Sequence, residues 1–256
     1  MNADFITVLW KEWKEIILER SAGGAGSLLS WSNASGWSRP LILIAVLGIF
    51  VPFKMPPERF FSATQLLLPT FLSAFVITAV IADSFAGERE RHTLETLLAS
   101  RLSDRSILFG KIAASMAYGW LMSIACIVVG TITVNVVNWR GEILMYHDAA
   151  SWLIIALGPP LMGGLIATVG VLVSLHAATV RQAQQTLAVG FMVLVFGGIF
   201  GSNMLPAEWK IWFGKILVTW TPAVLILAAG GVILAIDLVL LGAGMARFQR
   251  ARLVLD

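Results

Sequence analysis

The chain has 256 residues, 58% hydrophobic and only 13% charged, about half the charged share of a soluble domain. Together with a mean hydropathy of +0.84 this predicts an integral membrane protein and leaves no room for an additional large soluble domain. The net charge of +3 is no argument for nucleic acid, because basic excess in membrane proteins marks cytoplasmic loops, and the single cysteine, Cys126, excludes an internal disulfide or a cysteine metal cluster.

No signal peptide is expected. The first twenty residues carry Asp4, Lys11, Glu12, Lys14, Glu15, Glu19 and Arg20, with no uninterrupted apolar core. Residues 1–20 instead read as an amphipathic helix. Phe5, Leu9, Trp13, Ile16 and Ile17 share one face, and Lys11, Lys14 and Glu15 fall mostly on the other. Such a helix lies in the headgroup plane, or packs on the protein itself. The Gly- and Ser-rich stretch after it reads as a flexible connection.

A spanning helix needs about 20 mostly apolar residues. Six candidates follow, at 37–53, 60–82, 106–137, 150–175, 184–201 and 215–246; the first is short, the third and sixth long. Pro159-Pro160 should break or kink the fourth span. The glycines of spans four to six, including the Gly197/Gly201 pair, favour close helix packing. With the N-terminus inside, thirteen of the eighteen Lys and Arg fall on the cytoplasmic side. This predicts a plasma- or inner-membrane protein with both termini cytoplasmic. Between spans five and six, 202–214 interleaves Leu205, Trp209, Trp212 and Phe213 with Glu208 and Lys210. It reads as a short helix or re-entrant turn anchored by Trp, or as a surface loop with aromatic anchors.

Catalytic and metal motifs are missing. There is no GxxxxGK[ST] phosphate loop, no HExxH and no GxSxG, and His92, His147 and His176 lack metal-ligand spacing. No catalytic residue and no cofactor bound by this chain is expected. Intramembrane polar candidates are Asp83, Asp237 and Asn135, the last grouped with Thr131, Thr133 and Asn138. A carboxylate in lipid suggests function, but helix packing explains these residues equally well.

The most charged stretch, GERERHTLETLLASRLSDRSILFGK, lies between spans two and three. Leu94, Leu97 and Leu98 fall on one helical face, and Glu88/Arg91 and Arg91/Glu95 are side-chain pairs worth a few tenths of a kcal/mol each. These are too weak to hold a short helix in water, so the leucine face must bury. A helix over 87–101 is expected across the ends of the spans, charges outward, with Ser103 or Asp104 capping span three.

This stretch resembles the signature of the permease subunits of ABC-2 type ABC transporters. There a Glu-(Arg/Lys)-Glu-x-(Gly)-Thr-x-Glu-x-Leu-Leu run precedes Ile-Leu-x-Gly-Lys. Here the matching residues are Glu88, Arg89, Glu90, Arg91, Thr93, Glu95, Leu97 and Leu98, then Ile107, Leu108, Gly110 and Lys111. His92 stands where that family often has Gly, and Arg101 where it often has Pro. The resemblance implies an all-α membrane domain of the ABC-2 (type V exporter) fold, with six spans, an N-terminal interfacial helix and a coupling helix at 87–101. It implies that Glu88 to Leu98 dock a separate ATPase subunit, which would hold ATP and Mg. It implies a permease homodimer in lipid, with spans two and five lining the path. The alternative, a gradient-driven transporter or channel, needs inverted repeats or a set of membrane carboxylates, and neither is evident in the sequence.

Overall fold

A computed structural model describes residues 2–18 and 38–247; the Gly/Ser-rich connection, Trp37 and Arg250 to Asp256 lie outside them. Among the described residues the chain is helical with no strand. Helix α1 spans Asn2–Leu18. Helix α2, Ser38–Ile44, runs into a π-helical turn, Ala45–Phe50, and then α3, Val51–Lys54. A short α4, Pro57–Phe60, leads to a 3-10 turn at Ala63–Leu66 and to α5, Leu67–Glu90. Then come α6 (Leu94–Ala99), α7 (Asp104–Val137), α8 (Ala149–His176), α9 (Val180–Met204), α10 (Ala207–Thr219) and α11 (Pro222–Arg247).

Five helices, α5 (with the preceding 3-10 turn), α7, α8, α9 and α11, are long and apolar enough to cross a membrane. The first candidate span is a shorter apolar helix, Leu41–Lys54. Other boundaries differ from expectation. The sixth span begins at Pro222, not at Lys215, because the chain is extended at Trp220 and residues 215–219 belong to α10. The expected break at Pro159-Pro160 does not occur, and α8 is helical through both.

Helices α5 and α8 form the centre, with α7 against both, α11 on the far side of α8, and α9 against α5 and α8. Glycines set the close approaches. A Cβ on Gly119 or Gly163 would overlap Ile77, and one on Gly170 would overlap Ile81. The glycines of α8 therefore serve packing, as small residues do between membrane helices. The largest core sits at the end that carries the charged segment. There Ile81 and Phe85 of α5 meet Ile107 and Leu108 of α7, Val171 and Leu175 of α8, Val8 of α1, and Leu187 of α9. At the opposite end, Phe60, Leu66, Val134, Tyr146 and Ile154 form a smaller cluster. Burial there pushes the Tyr146 phenol well above its ordinary range.

Helix α1 packs against α7. Its buried stripe is Val8, Glu12 and Ile16, while Ile6 and Trp10 face outward. It thus rests on the protein by one side and offers an apolar side to its surroundings. The presence of Glu12 in the buried stripe has its explanation on α7.

Candidate functional site

The charged segment does not form one helix over 87–101. Helix α5 continues to Glu90, and the chain turns before α6. His92 donates its backbone N–H to Arg89 O at 3.1 Å, and Thr93 donates to Glu88 O at 2.9 Å. His92 itself has φ of 55°. This is a Schellman ending, whose left-handed residue is usually glycine. The glycine in the resembled pattern thus has a physical reason, and His92 bears the steric cost of replacing it.

The four consecutive charges are spent inside the chain. Glu88 is 3% exposed. Its Oε1 accepts from Lys111 Nζ at 2.9 Å and from Lys11 Nζ at 3.0 Å. Lys111, 1% exposed, also donates to Glu12 Oε1 at 2.7 Å and to the Ser84 carbonyl at 2.8 Å. Its three donors are therefore satisfied, as a buried ammonium requires. Lys11 further pairs with Glu15 at 3.1 Å. Burial alone would lower the Lys11 pKa, but the charges of Glu88 and Glu12 outweigh it and raise it well above the ordinary lysine value.

The two halves of the motif meet here: Glu88 begins the first and Lys111 ends the second. Gly110 completes the contact, because a Cβ there would lie 2.8 Å from Val8 Cβ and hold α1 away. Glu12, Glu15 and Glu88 lie close enough to share a cation, but the two lysine ammonium groups already bridge them. Glu88 Oε2 is buried without a hydrogen-bond partner among the described residues.

The remaining charges fasten neighbouring helix ends. Arg89 donates to the carbonyls of Leu175, at 2.8 Å, and of Ala177. It thus satisfies the last turn of α8, where a cation also opposes the helix dipole. Glu90 Oε1 accepts from Val180 N at 2.9 Å, at the start of α9, where a carboxylate is favoured for the converse reason. Arg91 pairs with Asp83 at 3.4 Å. The pair passes over Gly87, where a Cβ would collide with Asp83. Ser174 joins α5 to α8 below this level. Its Oγ accepts from the N–H groups of Phe85 and Ala86 at 3.1 and 3.0 Å and donates to Ala82 O at 2.9 Å. Nothing in the sequence pattern singles out Glu12, Lys11 or Ser174; each acts across more than 75 residues of chain.

Helix α6 is the outward part of the segment. Leu94 is buried and Leu97 packs partly on the core, while Thr93, Glu95 and Thr96 are exposed. Ser103 caps α7, accepting from Ser106 N at 3.2 Å. Of the expected docking residues, Glu95 is presented outward, Thr93 is exposed with its hydroxyl donating to Glu88 O at 3.3 Å, and Glu88, Arg89, Glu90 and Arg91 are engaged within the chain, the last two at its surface.

The intramembrane candidates separate. Asn135 exchanges hydrogen bonds with Leu144, Nδ2 to O at 2.9 Å and N to Oδ1 at 2.7 Å, so it pins the α7–α8 connection. Thr133 donates to Gly48 O at 2.9 Å, holding the π-helical turn, and Thr131 and Asn138 bond within α7. This group is committed to helix bonding. Asp83 is a half-exposed member of a surface ion pair. Asp237 is buried on α11 against Gly164 of α8, and its Oδ1 lacks a partner among the described residues.

A family model described as ABC-2 family transporter protein matches residues 49–247. No curated protein matches the chain.

Proposed function

The chain belongs to the ABC-2 transporter family, whose matched region is a permease domain, and is a multi-pass ABC transporter permease; on that premise we propose that it is the membrane subunit of an ATP-driven exporter, moved by a separate ATPase subunit that docks on α6. The ATPase would carry ATP and Mg. Helix 87–101 in the expected form becomes two parts with two tasks. The exposed face of α6, with Thr93 and Glu95, is the contact. The turn at His92 and the fastened charges Glu88 to Arg91 are the transmission.

One observation carries this reading: α6 is joined by a single turn to α5, whose last turn is tied by side chains to α1, α7, α8 and α9. A pull on α6 would be delivered to α1, α7, α8 and α9 at that end. Its exposed carboxylate would set docking register and on-rate more than affinity.

The path runs between two copies in this reading, with α5 and α9 facing it. Leu67, Phe71 and Phe75 form an exposed apolar stripe on α5, and Val189, Val193, Phe196 and Phe200 are exposed on α9. Gly190, Gly197 and Gly201 have open space where a Cβ would stand, which suits the approach of a helix from a second, symmetry-related copy. The shorter helix Leu41–Lys54 would complete six spans, and both termini would be cytoplasmic, on the side of α6.

The test is co-purification with the cognate ATPase. Glu95→Lys should weaken the complex while leaving the permease's own melting temperature unchanged. A complex indifferent to Glu95→Lys and to Thr93→Lys removes the docking role. Transport that survives loss of the ATPase but stops when the proton gradient is collapsed favours a secondary transporter.

A further inference from the structure

The first apolar helix, Leu41–Lys54, is not regular. Helix α2 passes into the π-helical turn Ala45–Phe50, and α3 follows with Pro52 as its second residue. In an α-helix the carbonyl of Gly48 would accept from residue 52, but proline has no N–H. The wide turn re-pairs part of this stretch, with the Val51 N–H donating to Val46 O, five residues back. A donor to Gly48 O comes from α7, where the Thr133 hydroxyl lies 2.9 Å away. A freed carbonyl at membrane depth needs such a donor, and a threonine on a neighbouring helix supplies it. Gly48 permits the close approach, since a Cβ there would stand 3.0 Å from Val129 Cγ1.

Thr133 has a second acceptor. Its hydroxyl is also 2.9 Å from Val129 O, one turn back on its own helix. The hydroxyl carries one hydrogen, which can turn from one carbonyl to the other by rotation about the Cβ–Oγ bond. Release of Gly48 therefore leaves Thr133 satisfied, and only Gly48 O loses its donor. The bond is a catch that opens without any movement of the α7 backbone.

The two arms of this helix are fastened at different places. The outer arm is seated at Gly130 of α7, where a Cβ would stand 3.3 Å from Pro52 Cγ and 2.8 Å from Phe60 Cζ. The inner arm, α2, follows α1 in the chain, and α1 is tied through Lys11 and Glu12 to Glu88 and Lys111. A shift at the inner end of α5 thus reaches the two arms unequally. A π-helical turn beside a proline is where a helix bends.

We propose that Ala45–Phe50 is a hinge between the inner and outer arms of the first apolar helix, latched by the Thr133 hydroxyl in place of the N–H that Pro52 lacks. The hinge lets α2 follow α1 while α3 stays on α7. It requires neither the ATPase partnership nor a second copy of the chain.

The experiment uses the full Cys126→Ser chain in phosphatidylcholine vesicles, diluted with unlabelled chain so that only distances within one copy are read. Spin labels on cysteines at Ile42 and Val239 report the inner arm, and at Phe53 and Val224 the outer arm; all four side chains are exposed. Distance distributions come from pulsed electron spin resonance. Thr133→Val, which keeps the shape and removes the hydroxyl, should broaden or shift the inner-arm distribution and leave the outer arm unchanged. Thr133→Ser keeps the donor and should change neither. Pro52→Ala restores an N–H at residue 52, so in that background Thr133→Val should have no effect on the inner arm. An inner arm indifferent to Thr133→Val alone, an outer arm that loosens with it, or an equal effect in the Pro52→Ala background overturns the hinge. Amide exchange at Val51 is an independent measure. Thr133→Val should speed it by roughly threefold to tenfold, the worth of one hydrogen bond between membrane helices, and Pro52→Ala should remove that acceleration; unchanged exchange overturns the latch. If Thr133→Val alone does not fold, recovery of a folded chain by adding Pro52→Ala supports the latch, and failure of both variants overturns it.

Discussion

Lys111 lies in an apolar run and is almost fully enclosed, yet its ammonium meets Glu12, Glu88 and the Ser84 carbonyl. Removing one partner from a buried pair costs about 3–5 kcal/mol, because the other charge is left without compensation. Lys111→Met should therefore lower the melting temperature sharply in detergent, and Glu88→Lys should abolish a monodisperse preparation. By contrast, Lys11 is partly exposed and its pKa is raised by Glu88 and Glu12. Its contribution is then fully present below its ordinary value of 10.5 and is lost as the pH climbs through the higher folded-state value. Thermal scans of the wild type against Lys11→Met should show a constant difference from neutral pH to about pH 10, shrinking only at stronger alkalinity. His92 gives a prediction of the opposite sign. Its left-handed backbone costs roughly 1–2 kcal/mol relative to glycine, so His92→Gly should raise the melting temperature, provided the φ of 55° is retained.

Among the elements, the α8–α9 corner depends on α5. Arg89 holds its near side and Glu90 its far side, so neither substitution need disturb the apolar core. Arg89→Gln should speed amide exchange at Ala177 and its neighbours, and Glu90→Gln should do so at Val180, with the α5 core still protected. Unchanged exchange in both would mean that packing alone holds the corner. This part of the site was half legible. The sequence marked Glu88 to Arg91 as special, because four charges in an oily chain demand a reason. It did not show that Glu88 is buried and that Arg89 and Glu90 are tied to neighbouring helix ends, since their partners are lysines, carbonyls and a backbone N–H far away in the chain. The turn at His92 was equally hidden: leucine periodicity and side-chain pairs fit a continuous helix, and the left-handed residue is normally signalled by glycine, which is absent here.

For the whole molecule, the unequal burial of the helices is the main guide. Helix α5 is mostly enclosed, while α9, α10 and α11 expose most of their apolar surface. In lipid this is tolerable for each helix alone, but the open glycines of α9 favour a second copy. Cysteines at Phe75 or Phe196 in a Cys126→Ser chain should form copy-to-copy disulfides if α5 and α9 line a shared interface, whereas cysteines at Val218 should not. The aromatic cluster of α10, with Trp212 and Phe213 rings 5.0 Å apart, belongs to the end opposite the charged segment and fits interface anchoring.

By itself the sequence determined that the chain is helical and membrane-embedded, and it marked the stretch where charge interrupts the oil. Those features follow from composition and short-range periodicity, which are local properties of the chain. Only the tertiary structure decided which charges are presented and which are consumed. It turned Glu88 toward Lys111 and Lys11, gave Asn135 to a loop, and left α6 to face outward. The reason is that a side chain's task depends on what stands opposite it. For Glu12 and Lys111 that partner is 99 residues away, beyond the reach of any periodicity.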